Sequence, residues 1–205
     1  MGTPSVALRS IELFAGGGGL ALGLERVGVR TVCFVEREAY AAAVLAARMD
    51  DGSLAPAPIW SDVRSFDGRP WRGVVDLVAG GFPCQDLSLA GARKGIGGER
   101  SGLWWHFARI VGEVRPALVF IENVAAIARS GLDVVLRDLA EMGFDAEWGV
   151  LSACAVGAPH TRERLFLLAN AHGDDGLERL GAGCGAVQND GARKVLDGWG
   201  SDPER

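Results

Sequence analysis

The sequence predicts an α/β protein, a doubly wound and mostly parallel sheet of Rossmann-like type. Three observations predict it. Apolar, strand-like runs alternate with amphipathic stretches along the chain. One run, Val74 to Ala79, is apolar on both sides, as a strand covered by helices must be. A glycine run, Gly16 to Gly19, stands where a strand gives way to a helix, the usual place for a ligand to meet backbone N–H groups.

The elements follow in order. Ser10 to Phe14 reads as a strand that ends in the glycine run, and Leu20, Leu22, Leu24 and Val27 suggest the helix after it. Arg30 to Val35 is a second strand, Glu38 to Arg48 an alanine-rich helix, and a short strand near Ile59 leads to Asp62. After the Val74 to Ala79 strand comes a polar, glycine-rich segment from Phe82 to about Ser101. Gly102 to Glu113 is helical, and Pro116 marks the entry to the strand Ala117 to Ile121. Leu132, Val135, Leu136 and Leu139 recur at helical spacing up to the stop at Gly143. Phe144 to Ser152 and Leu165 to Ala169 close the pattern as strands. Residues 1–170 thus read as one α/β unit. Residues 171–205, rich in Gly and Asp, read as a tail or the start of a further region.

Composition narrows the class. Hydrophobic residues make up 48%, which excludes global disorder. The net charge of -5 is not the footprint of a stand-alone nucleic-acid binder, so any such reading must rest on chemistry rather than charge. Cys33, Cys84, Cys154 and Cys184 form no C-x-x-C pair, so no metal site is expected, and reduced thiols fit a cytoplasmic protein. No stretch reaches the ~18 apolar residues of a membrane span, and no signal peptide is read at the N-terminus.

Ligands in such sheets lie beyond the carboxyl ends of the strands. The glycine run, Glu36, Asp62, the Phe82 loop and Glu122 each follow a strand, so they are expected along one edge. Gly16, Gly18 and Ala21 fit G-x-G-x-x-A, with Glu36 at the distance of a ribose-binding acid. That fingerprint suits a dinucleotide dehydrogenase equally, because a carboxylate can hold two ribose hydroxyls whichever cofactor carries them. Asp62 can accept a hydrogen bond from an adenine amino group with Val63 supplying backbone, or it can simply cap a turn.

The chemistry concentrates in Gly80-Gly81-Phe82-Pro83-Cys84-Gln85-Asp86-Leu87-Ser88. A cysteine in a polar, glycine-flanked loop is poorly explained as a core residue. Phe120-Ile121-Glu122-Asn123-Val124 puts a carboxylate at the end of the next strand. Arg162 and Arg164, two apart at the start of the last strand, are expected to share one face.

In this order, Phe14-Ala15-Gly16-Gly17-Gly18, Pro83-Cys84-Gln85, Arg100-Ser101-Gly102-Leu103, Glu122-Asn123-Val124 and Arg162-Glu163-Arg164 resemble the DNA cytosine-5 methyltransferase family. The resemblance implies S-adenosylmethionine as cofactor and DNA as partner. It implies cofactor contacts from Phe14, Ala15, Gly16, Gly17 and Gly18, from Glu36, Asp62 and Val63, and from Pro83 and Leu103. It implies Cys84 as the nucleophile on cytosine carbon 6, and Glu122, its pKa raised by burial, as the group sharing a proton with ring nitrogen 3. Arg162 and Arg164 would hold the base oxygen and nearby backbone. The target base must be flipped out of the duplex to reach them. Residues 85–100, with Gly91, Arg93, Lys94, Gly95, Gly97, Gly98 and Arg100, read as a basic lid over it.

The chain departs from the family pattern in three places. His160 stands where Gln is common, and Ser61-Asp62 replaces Gly-Asp. Nothing after Ala171 reads as the target-recognition region or the final helix that the family carries, which leaves three expectations open: a truncated product, a fragment of a longer protein, or one half of a split enzyme whose second chain supplies recognition. Two alternatives remain beside the DNA enzyme: a non-catalytic or partner-dependent S-adenosylmethionine-binding module, and an RNA cytosine-5 methyltransferase. A dehydrogenase leaves Cys84, Glu122 and Arg162 unexplained, and amino-methylating enzymes carry a Pro-Pro-Tyr-like loop where Phe82-Pro83-Cys84 stands.

Overall fold

The computed structural model describes residues 8–83 and 102–172. Its strands are β1 (Leu8–Leu13), β2 (Val29–Val35), β3 (Ile59–Trp60), β4 (Leu77–Gly80), β5 (Leu118–Val124), β6 (Phe144–Leu151) and β7 (Arg164–Ala171). Its α-helices are α1 (Gly19–Arg26), α2 (Ala39–Asp50), α3 (Leu103–Val114) and α4 (Leu132–Glu141). The strands form one sheet in the order β3-β2-β1-β4-β5-β7-β6. All neighbouring pairs are parallel except those of β7, which runs against both β5 and β6.

This order follows from handedness. From the centre the chain winds outward twice, β1 to β3 in one direction and β4 onward in the other. Right-handed crossovers then place the first helices on one face and the later ones on the other. Ala21 and Leu24 of α1 and Leu45 of α2 accordingly pack with Val29, Phe34, Leu77 and Ala79. Phe107, Ile110 and Val111 of α3 and Val135 and Leu139 of α4 pack on the opposite face with Ile11, Leu13, Val78, Val119 and Ile121. Burying side chains of this size contributes about 1.5–3 kcal/mol each, which is what fixes the register of a sheet whose central strands have no solvent side.

Most elements sit where the pattern puts them. β4 is the main exception, starting at Leu77 rather than Val74. The N–H groups of Val74 and Val75 instead donate to the Trp71 carbonyl, at 3.0 and 3.3 Å, continuing the 3-10 turn Arg69–Trp71. β7 extends two residues past Ala169 because its antiparallel pairing with β5 and β6 persists to Asn170 and Ala171. Among the described residues no helix is long and apolar enough to cross a membrane. The tail read above from residue 171 therefore starts later, since Ala171 still belongs to β7, and residues 173–205 lie outside the described residues.

Candidate active site at the carboxyl edge of the sheet

The two windings separate between β1 and β4, and the carboxyl ends of both strands open there. After Leu13 the backbone turns sharply, with positive φ at Phe14 (55°), Gly16 (54°) and Gly18 (77°). A β-carbon on Gly18 would lie 2.7 and 2.8 Å from Leu45 and Leu54, so glycine is required by both conformation and space. One on Gly16 would meet nothing within 4 Å, so this part of the turn faces open room.

Glu36, just past β2, locks the turn. Its carboxylate accepts the N–H of Gly16 at 2.7 Å and that of Glu38 at 2.6 Å. Glu38 in turn caps α2, accepting from Tyr40 and Ala41. Beyond β3, the Asp62 carboxylate accepts the Arg64 N–H at 2.9 Å, and its carbonyl accepts from Ser65. Val63 is buried. Leu103 opens α3 and packs against the main core.

Two residues of this region escape sequence reasoning. Glu12, inside β1, is 1% exposed, and its Oε2 has no hydrogen-bond partner among the described residues. Burial pushes its carboxyl up to about 8, against a lowering hydrogen bond from the Ala21 backbone, so the group is neutral at pH 7. The signal was a carboxyl between Ile11 and Leu13, hidden in an apolar strand. The second is His106, one turn into α3 from Leu103. Its Nδ1 is buried without a partner among the described residues. Burial, then the charges of Arg109 and Arg64, lower its pKa against the opposing pull of Asp62. An orphaned ring nitrogen near Asp62 suits a ligand that brings its own polar edge.

The other half of the edge is built around the end of β4. Gly80 and Gly81 are spacing residues. A β-carbon on Gly80 would collide with the Leu13 carbonyl oxygen, and one on Gly81 would lie 2.9 Å from the Glu122 carbonyl and 3.0 Å from its Oε2. Their absence of side chains lets β1, β4 and β5 close up, with the Glu122 carboxylate lying over Gly81. Phe82 is buried against Trp104 and Phe107, at ring separations of 5.1 and 6.1 Å. The Asn123 side chain donates to the Phe82 carbonyl at 2.9 Å. Pro83 is exposed as the chain leaves this anchor. Cys84, the candidate nucleophile, and the glycine-rich basic segment after it lie outside the described residues.

Glu122 pairs with Arg164 at 2.9 Å, on side chains 33% and 23% exposed. The Glu122 side chain is thus neither fully buried nor alone: it opens partly to solvent and is held by the Arg164 guanidinium. The arginines also separate. Arg164 begins β7, but Arg162 lies outside the strand with φ 26° and is exposed, so strand alternation does not put the two on one face. Of the other described cysteines, Cys33 is buried in the core, which raises its thiol to about 11, and Cys154 is exposed beside Ser152. Neither borders the Gly80–Glu122 junction. His160 is exposed, so the unusual residue at that place does not add to the Glu122–Arg164 pair.

The edge therefore offers an open glycine turn braced by a carboxylate, and beside it an acid–guanidinium pair next to the exit of β4. The family described as C-5 cytosine-specific DNA methylase matches residues 8–180. The type II methyltransferase M.PspPI of Psychrobacter sp. is 36% identical over 170 residues, covering 80% of this chain and 40% of that protein. M.Eco47II of Escherichia coli is 35% identical over 164 residues, covering 78% and 38%. A DNMT2 mutant of Spodoptera frugiperda shares the fold, with a TM-score of 0.65 at 19% identity over 80% of this chain and 50% of that one. The chain thus spans about 40% of the length of the curated relatives it matches.

Proposed function

The chain belongs to the C-5 cytosine-specific DNA methylase family, and from that membership and the geometry of its carboxyl edge we propose that it methylates carbon 5 of cytosine in DNA. The observation that carries this reading is the placement of the Glu122 carboxylate, paired with Arg164, over Gly81, three residues before Cys84.

The cofactor of this chemistry is S-adenosylmethionine, which supplies an electrophilic methyl group when bound. The residues present fit it. Gly16 opens onto free space, the carboxylate of Glu36 stands at the end of β2, and His106 Nδ1 lacks a partner among the described residues. Phe14, Ala15, Gly16, Gly17 and Gly18 would border its amino-acid end, Glu36 its ribose, and Asp62, Val63 and Leu103 its adenine, with Pro83 beside the reacting end.

The protein's own part in the reaction begins with the Cys84 thiolate. It adds to carbon 6 of a base flipped out of the duplex, and the electron pair of the 5,6 double bond moves to carbon 5. Glu122 manages the proton at ring nitrogen 3, where negative charge would otherwise build up, and Arg164 holds Glu122 in place for it. Arg162, outside the strand and exposed, would hold the base oxygen or nearby backbone. Once carbon 5 carries the methyl, a base removes its proton. The double bond re-forms and the Cys84 sulfur leaves as thiolate.

The test is methyl transfer from labelled S-adenosylmethionine to duplex DNA, with the modified nucleoside identified by mass spectrometry. The expected product is 5-methylcytosine, absent with Cys84→Ser and sharply reduced with Glu122→Gln. Transfer to RNA alone, or to a ring amino group, would contradict the assignment.

A further inference from the structure

The loop Ser61–Gly68 carries Asp62 and Val63, and it reaches back to β3 through Trp60, whose indole N–H donates to the Ser65 hydroxyl at 3.1 Å and whose ring meets Phe66 edge-on at 6.1 Å. Its main attachment is to α3, through one guanidinium. Arg109 Nη2 donates to the Val63 carbonyl at 2.9 Å, and Nη1 donates to the Phe66 carbonyl at 3.0 Å. Nη1 also meets both oxygens of Glu113, at 2.8 and 2.9 Å. Glu113 completes the circuit by accepting the Gly68 N–H at 2.8 Å. The contact is close enough that a β-carbon on Gly68 would lie 3.0 Å from Glu113 and Val114.

Leu103, His106, Arg109 or Ile110, and Glu113 recur at the three-to-four-residue spacing of one helical face. The face that grips the loop is therefore the same face that begins at Leu103 and carries the orphaned His106 nitrogen. Both ion-pair partners are only 23% exposed, so their bonds are less screened than those of a surface pair.

We propose that Arg109, braced by Glu113, is the positioning residue of the cofactor's adenine end, setting the separation of Asp62 and Val63 from Leu103 and His106. The inference rests on the reading of Asp62, Val63 and Leu103 as adenine contacts. Lysine cannot replace this arginine, because a single ammonium on a flexible stem does not span two carbonyls and a carboxylate in a fixed fork. Loosening the loop lets Asp62 drift from the adenine amino group, and recognition of that group weakens.

The experiment compares binding of S-adenosylhomocysteine and of its hypoxanthine counterpart, in which the amino group is replaced by an oxo group, to the full chain by calorimetry. Arg109→Lys is expected to weaken S-adenosylhomocysteine by about tenfold, the worth of one charge-assisted hydrogen bond, and to shrink the preference for adenine by a similar factor. A merely structural arginine would lower the melting temperature and leave that preference unchanged, which would overturn the proposal. Asp62→Asn is the companion variant. If it leaves the preference unchanged, the adenine reading itself fails, and the inference with it. If it abolishes the preference while Arg109→Lys does not, only the clamp fails. Glu113→Ala removes the counter-ion of Arg109 and the acceptor of Gly68. It carries the same test, read the same way, if Arg109→Lys does not fold.

Discussion

The two halves of the sheet's carboxyl edge are held by different kinds of contact. On the β1–β2 side, backbone is tied to carboxylate: Gly16 and Glu38 donate to Glu36, Tyr40 and Ala41 donate to Glu38, and Ala21 donates to Glu12. On the β4–β5–β7 side, side chains hold one another. Phe82 packs tilted and edge-on against the stacked rings of Trp104 and Phe107, Asn123 holds the Phe82 carbonyl, and Glu122 pairs with Arg164. The first arrangement depends on local chain geometry and suits a site that grips a constant ligand. The second draws on residues from three separated strands and a helix, and suits a site where charge must shift during a reaction. Binding and chemistry should therefore be separable by substitution.

The largest break comes from removing an aromatic wedge. Phe82→Ala should cost about 3–5 kcal/mol, because the ring is buried and the cavity cannot collapse against a rigid sheet end. Denaturant unfolding measures this. A loss below ~1 kcal/mol would mean the chemistry half does not depend on this packing.

Glu122→Gln should reduce methyl transfer by about 10²-fold or more, the usual worth of a positioned proton-transfer group. Cofactor affinity should stay within a factor of about two, since Glu122 touches only the β4–β7 side. Parallel loss of both would show that the halves are one unit.

Glu12 gives the comparison a pH axis. Between its ordinary 4.5 and about 8, the folded protein keeps a proton that the unfolded chain releases. Stability is therefore highest at the acidic end of that window and falls as pH rises through it, by up to about 1.4 kcal/mol per unit. Glu12→Gln should flatten this slope while keeping the acceptor for Ala21. An unchanged slope would mean the carboxyl finds water or a partner in solution.

The smallest expected effect is that of Glu36→Gln. One of its two carboxylate oxygens, each of which accepts a backbone N–H, becomes an amide N–H facing an N–H, which should weaken S-adenosylhomocysteine by about tenfold. The variant should leave the Phe82 packing, and so the response to Phe82→Ala, intact. Non-additive losses in the double variant would join the halves.

Much of this was legible in the chain. Apolar runs bounded by glycine and proline placed the strands, because buried parallel strands admit little else. Among the described residues, the glycine turn, Glu36, Asp62 and Phe82 fell on one edge because each follows a parallel strand of a right-handed winding, while Glu122 reaches it from inside β5, which runs on to Val124. What was not legible has physical causes. Val74 and Val75 are apolar enough for a strand, but their N–H groups are taken by the Trp71 turn. Arg162 and Arg164 have strand spacing, but the positive φ of Arg162 ends the alternation between them. Glu12 and His106 sit in apolar elements, where only the packed structure shows that a polar atom is left without a partner. Arg109 and Glu113 read as an ordinary helical ion pair, and their grip on a loop more than forty positions away has no local signature.

The central claim is that the exit of β4 delivers a nucleophile beside the Glu122–Arg164 pair. The most direct measurement is a covalent trap: the chain is mixed with S-adenosylmethionine and duplex DNA carrying 5-fluorocytosine, whose carbon 5 has no proton to release. A denaturation-resistant protein–DNA adduct, lost in Cys84→Ser and slowed in Glu122→Gln, is the predicted result. An adduct that persists in Cys84→Ser, or none forming although S-adenosylmethionine and DNA are both bound, would contradict it.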